Sequence, residues 1–492
     1  MASEFMAYLD KSKAIGNALA LIHWDMSTGA PPGGIPARAK TFGILAEEQF
    51  TLAVSGKMQE FLQAPQEGLD ELERVSMRES QKFYDSWKNI PPEDIGKYNE
   101  LLGNSQSVWE KAKAESDFAS FAPALEQIIQ WQRRFATLRG VSGNPYDALL
   151  DDYESGMTTE KLDAFFSQLK KTIVPLVQEI SEKGKKFDAS FAKRPVPAET
   201  QKKISKLLMD RLGFDFKCGM IRESVHPFTT NFSKGDVRIT TNYHENDFLS
   251  SFYSVLHETG HALYEQNIGD EVAETILGKG ASMSIHESQS RFYENVIGRS
   301  REFWESVYGS VIALLGKEFS DVTAEDLYFA SNQAKPSLIR IESDELTYSL
   351  HIMVRYEMEK EIIINGRPVA ELPALWNEKM REYLGLTPPD DAHGILQDVH
   401  WSQGSFGYFP SYALGNAYAA QFLHFMKKDI PVFELVKKGD LKPITQWLTS
   451  KIHMHGALKT PEEIVVGATG EPLDASYFTN YLESKFRAIC LQ

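Results

Sequence analysis

The sequence predicts a mainly α-helical protein, a large multi-helix fold with one small antiparallel β-sheet. Three observations carry that prediction. Apolar residues recur at three- and four-residue spacing through most of the 492 residues, the period of helices that bury one face. A single stretch, 228–243, is instead rich in Thr, aromatic and β-branched residues, which suit a pleated, half-buried surface. No internal repeat, low-complexity segment or long linker interrupts the chain. One continuous fold is therefore expected over residues 1–492, with a helical N-terminal half over 1–220 and the chemistry in 221–492.

Composition narrows the function classes. Hydrophobic residues make up 42% and charged residues 24%, enough for a large core and far from a disordered chain. Lys and Arg number 52 against 68 Asp and Glu, a net charge of −16, and no long basic run appears, so nucleic acid is not an expected partner. Two cysteines, Cys218 and Cys490, exclude a disulfide framework and favour a reducing compartment. The apolar run 14–22 is preceded by Glu4 and Asp10 and broken by Asn17, unlike a signal peptide. No apolar run approaches the ~20 residues that span a bilayer. A cytoplasmic protein without membrane contact is the expectation.

Taken in order, residues 8–24 read as a helix that stops at Gly29-Ala-Pro-Pro-Gly-Gly34-Ile-Pro36, a sequence no helix crosses. A second helix follows from Ala37. Pro91-Pro92 opens another, and the Gly- and Pro-bearing segment 140–145 closes a third. Thr158, with Glu160 in the first turn, is a helix start. Pro195 and Pro197 lead into a helix ending near Leu212-Gly213. In 228–243, Ser233-Lys-Gly-Asp236 is the turn of an antiparallel pair. A strand there could offer its edge to an extended peptide or simply pack on the following helix. That helix covers 252–266; a Gly-bearing loop at 277–280 returns the chain, and helices are expected after Ser284 and over 304–315, 346–364 and 372–384.

The chemistry concentrates at His257-Glu258-Thr-Gly-His261. Two His four residues apart project from one face of a helix, close enough for two imidazoles to hold one metal ion. Glu258 lies beside them and can reach a metal-activated water without being a ligand, the arrangement of a zinc peptidase with a carboxylate general base. Val255, Leu256, Ala262 and Leu263 make the surroundings apolar. Such a site needs a third protein ligand. Glu287 and Glu294 are the first candidates, with Glu265 and His286 behind them; Glu287 follows the loop that turns the chain back. His400, Tyr408 and Tyr412 could donate to a developing oxyanion. A terminal carboxylate of a peptide would need a cation, best an Arg. Arg238 and Arg340 are the candidates, although Arg340 could equally form an ion pair with Asp344, four residues on.

These motifs together resemble the carboxypeptidase Taq family of metallocarboxypeptidases. The resemblance runs through His226-Pro-Phe228, Asp236-Val-Arg238-Ile-Thr240, His257-Glu-Thr-Gly-His261, His286-Glu-Ser-Gln289, Ile339-Arg-Ile-Glu-Ser-Asp344 and Gly394-Ile-Leu-Gln-Asp398-Val-His400-Trp401. It extends to Trp24-Asp25 and to Tyr146-Asp-Ala-Leu-Leu-Asp151, while 219–224 departs from the family's wording. The resemblance implies that His257, His261 and Glu287 hold one divalent ion, zinc or in some members cobalt, and that Glu258 is the base. It also implies a deep active-site groove beside the sheet, with residues 1–220 forming one wall, and a homodimer. The implied activity is release of single C-terminal residues, broadly but not at proline, from short peptides with a free C-terminus; His226 would lie among the substrate-binding residues. An endo-acting oligopeptidase with the same metal motif, and a non-catalytic helical metal-binding protein, are the alternatives.

Overall fold

The computed structural model describes residues 2–141 and 143–492, so residue 142 of the predicted break at 140–145 lies outside the described residues. Helices dominate, as their spacing predicts, and several begin and end where the sequence places the signals. Thr158 caps the helix Thr159–Lys183 by accepting from Lys161 N–H, and Gly213, in the left-handed conformation, ends Ala198–Leu212. Leu372–Leu384 matches its expected range.

The chain divides into two compact units, each assembled from three separated segments. The first comprises Met1–Lys88, Asp188–Ser331 and Tyr418–Leu473; the second comprises Asn89–Phe187, Asn332–Ala417 and Asp474–Gln492. Among the described residues no helix is long and apolar enough to cross a membrane.

The first unit is organised around the helix Phe248–Gln266. Phe252, Val255, Leu256, Ala262 and Leu263 are at most 1% exposed, so the helix is buried on most of its circumference and its polar residues are surrounded by an apolar wall. Against it pack Ala198–Leu212, Met283–Arg291, a π-helical turn at Phe292–Gly298 and a three-stranded sheet. Ser251 Oγ donates to Gln201 Oε1 at 2.6 Å and fastens the first of these contacts.

The sheet corrects the prediction of a purely antiparallel one. β2 (Thr229–Ser233) and β3 (Asp236–Thr241) form the expected antiparallel pair, with a register shift between Asn231 and Ser233. β1 (Gly219–Glu223) adds to the other side of β3 in parallel, giving a mixed sheet in the order β1-β3-β2. β1 has little β-branched character, and its pairing with β3 is non-local. Its first residue must be small, because a Cβ on Gly219 would lie 2.1 Å from Val237 O.

In the second unit the most buried element is Tyr348–Ile363, where Leu350, Ile352, Met353, Val354, Tyr356 and Met358 are at most 1% exposed. Buried with them are Arg355 and Glu359, whose charges require partners.

Candidate metal centre

Within the first unit the helix Phe248–Gln266 presents His257 and His261 from one face, and Glu287 reaches them from Met283–Arg291. Glu287 Oε2 lies 3.6 Å from His257 Nε2 and 3.5 Å from His261 Nε2. One ligand atom from each of the three lies within 4.8 Å of the others. The approach depends on Gly260, between the two His: a Cβ there would stand 2.6 Å from Gln289 O and from Ser290 Cα. Only a residue without a side chain lets the two helices cross this closely. Ser282 starts the second helix by accepting from Ile285 N–H.

Each imidazole is held by the nitrogen that faces away from Glu287. His257 Nδ1 is 2.8 Å from Glu294 Oε2; His261 Nδ1 is 2.6 Å from His286 Nδ1. The π turn Phe292–Gly298 carries Glu294 to that position, and Arg291 and Arg299 both donate to its carboxylate at 3.1 Å. Arg291 Nε also donates to Glu287 Oε1 at 2.6 Å. This arrangement fits a divalent ion: two Nε2 atoms and a carboxylate oxygen converge, and the groups behind them fix ring orientation.

Electrostatics follow from burial and these neighbours. Burial pushes His261 down to about 3, so its ring is neutral, the form that can bind an ion. For His257 burial acts downward too, but the charges of Glu287 and Glu294 outweigh it and raise the ring above its ordinary value. Burial acts upward on Glu287 and Glu294, yet Arg291 and His257 hold both well below the carboxylate range. Glu258, 6% exposed, goes the other way: burial raises it, opposed by His257 and by Thr229. Thr229 Oγ1, on β2, donates to Glu258 Oε2 at 2.6 Å.

The remaining sequence candidates are placed as follows. Glu294 and His286, weighed as third ligands, instead meet the Nδ1 atoms of the two His, and Glu265 stands behind His286 at 2.7 Å. Arg238 pairs with Thr230 in the sheet, so it lies on the face opposite Thr229 and Glu258. There it makes a bidentate bond to Asp236 at 2.7 Å and lies over the rings of Phe232 and Trp24. His226 is exposed, in the connection between β1 and β2. Arg340, His400, Tyr408 and Tyr412 belong to the second unit. Arg340 does not pair with Asp344, which accepts from Lys335, Leu346 and Thr347 N–H. It donates to Asp398 Oδ1 from Nε at 3.0 Å and from Nη2 at 2.8 Å, and to Tyr348 at 2.8 Å. Arg355 shares the same Asp398. His400 Nε2 is 3.4 Å from the Tyr412 hydroxyl and its ring packs on Tyr408 and Phe409. Sequence reasoning did not single out Thr229, Asn231, Arg291 or Arg299; alternation of polar side chains along β2 was the available signal for the first two.

Residues 4–486 match the model of the carboxypeptidase Taq (M32) metallopeptidases. Carboxypeptidase 1 of Bacillus subtilis (strain 168) is 45% identical over 492 residues, covering 99% of this chain and 98% of that protein. Thermostable carboxypeptidase 1 of Pyrococcus furiosus is 37% identical, covering 96% of each. The crystal structure of the M32 carboxypeptidase from Deinococcus radiodurans R1, 31% identical, superimposes with a TM-score of 0.95 over 99% of both chains.

Proposed function

The chain belongs to the carboxypeptidase Taq (M32) family of metallopeptidases, and from that premise we propose that it releases single C-terminal residues from short peptides with broad specificity. The observation that carries the reading is the convergence of His257, His261 and Glu287 with the buried Glu258 beside them. A divalent ion held by the three side chains supplies Lewis-acid activation of a water and of the scissile carbonyl. Zinc is the ion we propose, because two imidazoles and one carboxylate are a donor set of catalytic zinc sites; cobalt is the alternative.

Glu258 takes the proton of the attacking water and delivers it to the leaving amine. Its raised proton affinity, a product of burial, brings it nearer to the value a general base needs at neutral pH. Thr229 holds the carboxylate in place during both transfers. β2 lies at one side of the sheet, and its outer edge suits an extended peptide backbone.

For the terminal carboxylate, Arg340 is the better of the two candidate anchors. Arg238 is matched one-to-one by Asp236, whereas Asp398 serves both Arg340 and Arg355, which leaves positive charge in surplus. His226, His400, Tyr408 and Tyr412 complete the proposed substrate-binding set. A homodimer acting in the cytoplasm belongs to the same reading.

Paired peptides, one with a free C-terminus and one amidated, test the claim when the digest is followed by mass spectrometry. Loss of one residue at a time from the free form only is the expected result; equal cleavage of both identifies an endo-acting oligopeptidase instead. Glu258→Gln should retain the ion and lose roughly a hundred- to ten-thousand-fold in kcat, and full activity in that variant would refute the assigned base. Metal analysis of the purified protein identifies the ion.

A further inference from the structure

His257 and His261 are held by different chemistry. His257 Nδ1 meets a carboxylate directly. His261 Nδ1 meets His286 Nδ1 at 2.6 Å, and the far nitrogen of that second ring, Nε2, meets Glu265 Oε1 at 2.7 Å. Glu265 is 4% exposed and accepts twice more, from Gly280 N–H at 3.1 Å and from Asn231 Nδ2 at 2.6 Å. The carboxylate is thus surrounded by donors, so His286 must present Nε2–H to it. A neutral imidazole protonated at Nε2 has a bare Nδ1. With His286 neutral, the hydrogen between the two rings comes from His261 Nδ1, which leaves His261 Nε2 as a lone pair facing Glu287 Oε2; a doubly protonated His286 would instead place His261 Nε2–H against that oxygen.

We propose that Asn231, Glu265 and His286 form a positioning relay that fixes the tautomer and ring plane of His261 before any ion binds. The relay is built from three places in the first unit. Asn231 lies on β2, two residues from Thr229 and on the same face. The two side chains reach Glu258 and Glu265, seven residues or about two turns apart on one helix. One strand therefore aligns both the proposed base and the end of the relay. Gly280 completes the cradle: a Cβ there would lie 2.5 Å from His286 Cδ2 and 3.2 Å from the Tyr264 ring, so a larger residue would displace the His286 ring. His286 also precedes Glu287, so the residue next to one proposed ligand orients another.

The inference rests on the reading in which His257, His261 and Glu287 hold the ion. Its test measures the metal dissociation constant of the apo-protein by chelator competition, together with 15N shifts of the imidazoles in the metal-free chain. His261 in the parent should be in the Nδ1–H form. His286→Phe should weaken metal binding roughly 10- to 100-fold, and His286→Asn, whose amide oxygen can stand in for Nδ1, should recover most of it. Glu265→Gln should weaken binding in the parent and add nothing in the His286→Phe background, because a severed relay cannot transmit the change. Packing alone would make the two losses additive. His286→Phe binding within twofold of the parent, additive losses, or a metal-free His261 in the Nε2–H form would each overturn the relay. Should His286→Phe fail to fold, the His261 tautomer in the parent and its change in Glu265→Gln decide the matter. His257→Ala separates the two ideas: undiminished metal binding in that variant would overturn the ligand assignment and the relay with it. Loss of binding there, with His286→Phe unaffected, would overturn the relay alone.

Discussion

At the scale of single residues, the decisive contact is the one between Thr229 and Glu258. Burial favours the protonated form of Glu258, the form that cannot accept a proton. The Thr229 hydroxyl, 2.6 Å from Oε2, favours the ionised form and holds that oxygen in place. A hydrogen bond to a charged group contributes about 1.5–3 kcal/mol. Thr229→Val keeps the shape and removes the donor, so kcat should fall on the order of tenfold or more while metal content stays at the parent level, and Thr229→Ser should restore the rate. Steady-state kinetics beside elemental analysis checks this; an unchanged kcat would mean that another group orients the proposed base. His257, Glu258 and His261 are legible in the sequence because a helix converts spacing into contact. Thr229 is not, since it meets Glu258 across 29 residues of chain and only the packed sheet brings it there.

At the scale of elements, the site depends on how closely two helices cross. Gly260 lies under the backbone of Gln289 and Ser290, and a Cβ would intrude to 2.6 Å. Backbone cannot swing aside as a flexible side chain can, so Gly260→Ala must push Met283–Arg291 outward. Overpacking of this kind costs about 1–3 kcal/mol, and the displacement carries Glu287 away from both imidazoles. Thermal unfolding should show a lower Tm and titration a weaker metal affinity in the same variant; loss of stability with unaltered affinity would show that Glu287 follows the helix pair without consequence. Capped helices such as Thr159–Lys183 are legible because a Thr cap and an acidic first turn are local signals. β1 and the π turn Phe292–Gly298 are not. Gly219-Met-Ile-Arg-Glu pairs only because β3 is already in place, and the wide turn that brings Glu294 to His257 depends on packing that no local spacing encodes.

At the scale of the whole molecule, sequence position is a weak guide to spatial grouping. The sequence reading takes 1–492 as one continuous fold with a helical half over 1–220 and the chemistry in 221–492; in the structure each of two compact units gathers three segments. Within the first, His453 from the late segment meets Gln289 Oε1 at 2.8 Å, two residues from Glu287. The second has a comparable long-range knot at Glu359, fully buried in Tyr348–Ile363. Its carboxyl accepts from Tyr146 at 2.6 Å, Trp401 Nε1 at 2.8 Å and Gly407 N–H at 2.8 Å. Burial pushes it up to about 7, against the pull of those three donors and of Arg355. A carboxyl with a folded value above its unfolded value of 4.5 holds its proton more tightly in the native state. Its contribution to stability is therefore complete below about 4.5 and lost as pH rises through about 7. That gap corresponds to on the order of 3 kcal/mol. Asp398 and Glu287 lie far below this window in the folded chain, whereas His261, His400 and His453, lowered by burial, gain protons only on unfolding and add slope of the opposite sign below about 6.5. Urea unfolding between pH 5 and 8 should show the stability of the parent declining relative to that of Glu359→Gln, which has no proton to lose, so the difference between the two profiles isolates this carboxyl. Parallel profiles would show that Glu359 titrates as an ordinary carboxyl and that the knot owes nothing to its burial.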